Sequence, residues 1–355
     1  MTYIAAARMA TALCLVAAAC AFSVAVARIQ SVLAPAAGPA EGLPERLQET
    51  GLFAPGTVRT AADVLSFSPR YPLWSDGADK RRWIQLPTGS YIKASQPDAW
   101  IFPPGTRLWK EFAYSGKPVE TRLMQRRANG QWSFGTYVWN EAGTEATLAS
   151  REGVPALPVA GAPKGQYTVP SRADCLTCHN SALVPVLGFS ALQLAPLMPD
   201  VADLRRMMVG SGLLREFPPD LLDHGSDTAG ASPLERAVLG YLHGNCAHCH
   251  NTGPNKVPRP LTLRQGAADP ASARQEVLRS LVSAPSRWES PLRDGRGLLV
   301  ESGRSDRSVL VERMQTREPR VRMPPLGTEL PDEEALALVR RWIDQELPSR
   351  KDPSQ

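Results

Sequence analysis

Histidine and cysteine are almost missing from the first half of this chain. Of five histidines in 355 residues none precedes His179, and no cysteine falls between residues 28 and 174. That absence excludes a histidine-ligated metal site built from this stretch alone. Six cysteines occur in all; Cys14 and Cys20 lie in the N-terminal apolar run, and the other four form two copies of one pattern. None is left over for a disulfide bridge. The net charge of +5 is mild, and no basic stripe with interleaved aromatics is present, so nucleic acid is not an expected partner. No proline-rich tract occurs either: the 33 prolines are spread along the chain, which predicts many turns and few long helices in the first half. With 43% hydrophobic and 21% charged residues, global disorder is excluded, and the length leaves room for two or three domains.

The N-terminus sets the expected compartment. Arg8 precedes an uncharged, mostly apolar run from Met9 to Ala27, and Ala25-Val26-Ala27 offers the small-x-small pattern of a signal-peptidase site. These nineteen residues nearly match a bilayer core of about 30 Å, so a retained membrane anchor is the second reading. Lipid attachment at Cys20 is a weaker third, because the residues after it are as apolar as those before. All three place the remainder outside the cytoplasm, so an exported, periplasmic protein is expected, with a possible inner-membrane tether.

Residues 28–44, rich in Ala, Pro and Gly, read as a linker. From 45 to 168 the pattern is that of strands. Six of the eight tryptophans lie there, and short alternating runs such as Arg82–Leu86 and Arg107–Phe112 are bounded by Pro and Gly. The clearest hairpin joins Glu120–Gln125 to Trp132–Trp139 around Ala128-Asn129-Gly130, with Asn-Gly supplying the positive φ of the turn. A β-sandwich or half-barrel is expected, with its tryptophans in the core rather than on a carbohydrate or partner surface. A polar cluster of Ser75, Asp76, Asp79, Lys80, Arg81 and Arg82 follows Trp74. From Pro170 onward the pattern turns helical. Ser171 with Asp174 caps a short lead-in helix, Val201–Leu214 carries a partial apolar face, and Ser232-Pro233-Leu234-Glu235 opens a helix with a capping box. A final amphipathic helix begins near Pro331, with Ala335, Leu338, Val339, Trp342 and Ile343 on one face.

The four remaining cysteines read Cys175-Leu176-Thr177-Cys178-His179 and Cys246-Ala247-His248-Cys249-His250. Two thiols one helical turn apart reach the two vinyl groups of a porphyrin edge, and the following imidazole reaches the iron; Cys-x-x-Cys-His is a c-type heme attachment signature. A four-cysteine zinc ribbon needs its pairs about 15–20 residues apart, whereas 67 residues lie between Cys178 and Cys246. A redox dithiol would not need histidine at the same offset twice. Two covalent hemes c are therefore expected, bound by Cys175, Cys178, Cys246 and Cys249, with His179 and His250 as proximal iron ligands.

Residues 231–347 follow the order of a small cytochrome c domain: helix, motif, loop, methionine segment, final helix. Met323, before Pro324 and Pro325, is the expected sixth ligand of the second iron, with Met314 as fallback; thioether ligation suits electron transfer. A carbonyl beside Pro254, Pro258 or Pro260 would orient His250. The sixth ligand of the first iron is open among Met198, Met207, Met208, His224, His243 and His248.

These pieces together resemble the proteobacterial diheme c-type cytochromes in which a β domain containing Tyr71-Pro72-Leu73-Trp74-Ser75-Asp76-Gly77-Ala78 precedes two heme motifs. Glu120–Leu123, Tyr137–Asn140, Cys175–His179 and Tyr241–His250 match as well, so the likeness covers roughly residues 45–345. It implies export, two hemes and electron transfer, and it implies variability at position 243, against an essential role for His243. The expected fold is α+β and multidomain: an N-terminal β-sandwich-like domain (45–168), then an all-α diheme cytochrome c region, divided into a first heme region (169–230) and a second (231–347), with a tail at 348–355. The expected function is electron transfer between redox protein partners, with no catalytic residue assigned. The alternative is a diheme peroxidase or oxidase with the first heme as its reactive site.

Overall fold

The structure is a computed structural model that describes residues 42–196, 203–223, 227–254, 260–289 and 295–347. The expectations for the N-terminal segment, Met198, His224, Pro258 and the tail lie outside these residues. Among the described residues no helix is long and apolar enough to cross a membrane.

Strands run in chain order as β1 (Leu65–Ser66), β2 (Asp79–Gln85), β3 (Ile92–Lys93), β4 (Arg107–Tyr114), β5 (Lys117–Arg126), β6 (Trp132–Trp139), β7 (Ala146–Leu148), β8 (Val154–Pro158), β9 (Gln166–Val169), β10 (Leu214–Arg215), β11 (Pro285–Glu289) and β12 (Arg296–Leu298). The helices are α1 (Arg172–His179), α2 (Leu204–Gly210), α3 (Asp220–Asp223), α4 (Pro233–Cys246), α5 (Pro270–Leu281), α6 (Val309–Gln315) and α7 (Glu333–Gln345). One antiparallel sheet of six strands, in the order β1-β2-β4-β5-β6-β7, dominates the first half.

The expected β-sandwich followed by an all-α region is not what forms. Among the described residues no second sheet of comparable size packs against it. One face packs on Leu43, Leu47, Leu52 and Phe53 through Trp83, Trp109, Leu123, Tyr137 and Trp139. The other face buries Ile84, Leu108, Met124 and Phe134 against Val186, Phe189, Leu192, Leu194 and Met208, which follow the first motif. Apolar side chains from the expected heme region thus do what a second sheet would have done. That region is not all-α either: β10 pairs in parallel with β3, and β11 pairs with β12. Strands of two to five residues, as these are, carry too little alternation to be read from sequence.

Local chemistry explains the other differences. The β5–β6 hairpin forms, but only Gly130 of its turn has positive φ (80°); Asn129 instead accepts from the Gln131 amide. Ser232 caps α4 by accepting from the Glu235 amide (3.0 Å), yet the Glu235 carboxylate passes over Ser232 to the Ala231 amide and pairs with Arg274. The capping box is therefore half formed. Of the six tryptophans expected in the core, Trp83, Trp100, Trp109 and Trp139 are buried, whereas Trp74 and Trp132 are half-buried.

A second core joins α4, α5, α6 and α7 through Val238, Leu242, Val277, Leu281, Val311, Val339, Trp342 and Ile343. It meets the first half where α4 lies on the Tyr71–Trp74 segment. A methyl group added at Gly244 would stand 2.4 Å from the Tyr71 carbonyl oxygen, and one at Gly240 would enter the Tyr71 ring. Asn245 completes the join, accepting from the Trp74 amide (2.7 Å) and donating to the Pro72 carbonyl (3.3 Å). Alanine at an exposed helical glycine ordinarily gains up to about 1 kcal/mol. Gly244→Ala should instead cost about 1–3 kcal/mol through forced separation, read as a lower midpoint of thermal unfolding.

Candidate functional site

The first motif occupies the last five residues of α1. Ser171 caps it, its Oγ accepting from the Asp174 amide (3.1 Å) while the Asp174 carboxylate accepts from the Ser171 amide (2.9 Å). This reciprocal cap starts the helix three residues before Cys175. Cys175, Cys178 and His179 then fall at i, i+3 and i+4, which is one face. His179 ends the helix with its ring against Phe134 of β6, centroids 5.0 Å apart. Its Nδ1 lies 2.6 Å from the Pro185 carbonyl oxygen. A carbonyl only accepts, so Nδ1 carries the proton and the Nε2 lone pair is left for a metal. Burial pushes the ring pKa down to about 4, helped by Lys110, His248 and Arg122. The imidazole is therefore neutral near pH 7, as a ligand must be.

The second motif begins at the last residue of α4 and continues as a turn, with the His250 amide donating to the Cys246 carbonyl (2.9 Å). Tyr241, one turn before Cys246, borders a cavity of about 300 Å³ shared with Tyr71, Pro72, Leu73, Trp74, Lys80 and Asp332. Burial pushes the Cys246 thiol up to about 12. That keeps it protonated and inert towards adventitious oxidation.

The tertiary fold brings the two motifs into contact. The ligating atoms of Cys178, His248 and Cys249 all lie within 4.8 Å of one another. The Cys178 thiol donates to Cys249, which raises the first pKa to about 12 and lowers the second. Asn251, almost fully buried, holds this arrangement. Its Nδ2 donates to the Ser181 carbonyl beyond the first motif (3.0 Å) and to the Ala247 and His248 carbonyls inside the second (3.0 and 3.1 Å). Its Oδ1 accepts from the Gly253 amide (2.7 Å).

The residues fit two c-type hemes in donor chemistry: each motif presents two thiols and one imidazole on a single turn. At His179 the ring is oriented by the Pro185 carbonyl, a role for which the sequence offered no candidate, since a carbonyl beside Pro254, Pro258 or Pro260 is expected to orient His250 instead. Met323 is half-buried, its amide donating to the Arg313 carbonyl (2.8 Å). Its segment is tied to the β domain, since Asp76 accepts from the Glu329 and Leu330 amides (2.7 and 3.0 Å). Met314, the fallback, is buried in the second core.

The candidates for the first iron separate. Met207 is exposed and Met208 sits at the centre of the first core. His243 is committed elsewhere, its Nδ1 accepting from the Gln265 amide (3.0 Å). His248 lies at the junction of the motifs. Sequence reasoning missed Asn251, Pro185 and Phe134. Only Asn251 carried a signal, standing directly after the second motif.

Two expected outcomes follow from these bonds. Asn251→Ala leaves buried carbonyls without donors and should cost about 2–3 kcal/mol, measured by urea unfolding. His243 has a pKa of about 4 in the fold, lowered by burial and by Arg264, against an ordinary 6.5. The unfolded chain therefore binds the extra proton between these values, and stability contributed by neutral His243 is lost as pH falls from about 6.5 to 4. The difference in unfolding free energy between wild type and His243→Gln should shrink over that window. No protein-family model, curated protein or solved structure matches the chain.

Proposed function

We infer that the chain is an exported, periplasmic diheme c-type cytochrome that passes electrons between redox proteins. The observation that carries this reading is the convergence of two Cys-x-x-Cys-His turns, with Cys178 and Cys249 adjacent although 71 positions apart. Groups anchored at those sulfurs are held side by side, as electron exchange between them requires.

Heme c supplies one-electron cycling between ferric and ferrous iron. The chain's own residues provide the setting. Cys175 with Cys178, and Cys246 with Cys249, supply thioether anchors. His179 offers Nε2 while Pro185 holds its Nδ1 proton, fixing ring orientation and basicity. Phe134 packs against the ring at a tilt of 49°. Met323 would offer its thioether to the second iron. The four cysteines are half-buried, Cys175 packing against the first core and Cys246 against the second, a setting that limits the reorganisation accompanying each electron.

A second reading rests on the Cys178, His248 and Cys249 cluster itself. Two thiols and an imidazole suit a thiophilic cation such as zinc in a chain without heme. Heme staining of the denatured protein and metal analysis separate the two. Diheme attachment predicts two covalent hemes per chain, one in Cys175→Ser/Cys178→Ser and one in Cys246→Ser/Cys249→Ser. An unstained wild-type chain holding one equivalent of zinc would replace this reading with the second.

A further inference from the structure

The sheet face towards α1 carries three successive cross-strand rungs. The first is apolar, Ile84–Leu108–Met124–Phe134, and the third is Lys80–Phe112–Glu120–Val138. Between them lies Arg82–Lys110–Arg122–Thr136, which sets three cations side by side on adjacent strands. Like charges directly opposite one another repel, and all three side chains are half-buried, where water screens them poorly.

One carboxylate, buried Glu120, serves this row. It pairs with Arg122 at 2.5 Å and accepts from the Tyr167 hydroxyl at 3.0 Å. Lys110 lies over a ring face, its Nζ 4.6 Å from the centre of Phe112, where Arg122 also lies at 4.3 Å. Among the described residues neither Arg82 nor Lys110 makes an ion pair, and Glu120, already paired with Arg122, only weakly offsets the charge on Lys110. Both have their pKa lowered by burial, Lys110 also by Arg82, Arg122 and Lys80. A half-buried row of cations with one carboxylate calls for further negative charge.

The row starts at the first motif. Arg122 is close enough to Cys175 to lower its pKa, and His179 rests on Phe134 in the adjoining rung. Lys110 and Arg82 lie one and two strands further, about 5 and 10 Å away. Heme carries its propionates on the edge opposite its thioether carbons. We propose that Lys110 and Arg82 receive the propionate carboxylates of the heme held by Cys175 and Cys178, making the β domain the anionic-edge cradle of that heme. This rests on the diheme reading above, and it gives the sheet a role that its tryptophans do not supply.

The test uses the mature holoprotein with Arg82→Gln, Lys110→Gln and charge-preserving Arg82→Lys. Heme content is measured per chain, both midpoint potentials by redox titration, and both irons by low-temperature magnetic resonance. Removing either cation leaves a propionate charge uncompensated, which favours ferric iron. One of the two midpoints should fall, raising the ferric-to-ferrous ratio at the wild-type midpoint about tenfold, or 59 mV for a one-electron couple. Both hemes and their spin states should be retained, and Arg82→Lys should stay within about twofold. Where a glutamine variant does not accumulate, Arg82→Lys still reads the contact through the propionate bending band in resonance Raman, which should move. Two hemes with unmoved midpoints or an unmoved band overturn the cradle alone. A changed axial spectrum in Lys110→Gln also overturns it, since Lys110 would then ligate iron. A wild-type chain without heme overturns the diheme reading beneath it.

Discussion

The site depends on one buried amide. Asn251 hydrogen-bonds a carbonyl just beyond the first motif, two within the second and an amide that follows. Each motif is locally competent, but a cysteine-bearing turn has no intrinsic preference for another turn distant in sequence. A side chain that donates to both removes that freedom. Its burial gives the lock its strength, because no water is at hand to replace a lost partner.

The segment Tyr71–Asp76 repeats the same logic on a larger scale. Gly240 and Gly244 let α4 approach its backbone closely, Asn245 bonds it from the helix, and Asp76 reaches the loop that precedes α7. One short strap thereby links the sheet to the helix that enters the second motif and to the segment that carries Met323. The two halves are joined by backbone groups that would otherwise lie buried without partners. The sheet is then more than a neighbour of the site, since its inner face supplies Phe134 and the cation row.

Legibility followed the range of the interactions. The caps at Ser171 and Ser232, the β5–β6 hairpin and the apolar face of α7 are set within a few residues, and each stands where local pattern puts it. The β-sandwich and the all-α second half failed for the converse reason. Whether a sheet face is covered by another sheet or by a loop bearing Val186, Phe189 and Leu192 depends on long-range packing that alternation does not encode. Among the site residues, the cysteines and histidines are visible through spacing. Pro185 is not, because a carbonyl acceptor has no signature of its own. Arg82, Lys110 and Arg122 are ordinary strand cations until register aligns them.

The sequence by itself determined the donor set: two thiols and an imidazole on one turn, twice, because that geometry lies within five residues and follows from helical spacing alone. Only the tertiary structure decided that Cys178 and Cys249 meet, that His179 points its proton at Pro185, and that three cations from three strands form one row beside the first motif. Except for the six-residue reach from His179 to Pro185, those are relations between segments far apart in the chain, and they exist only once burial has chosen which surfaces close on one another.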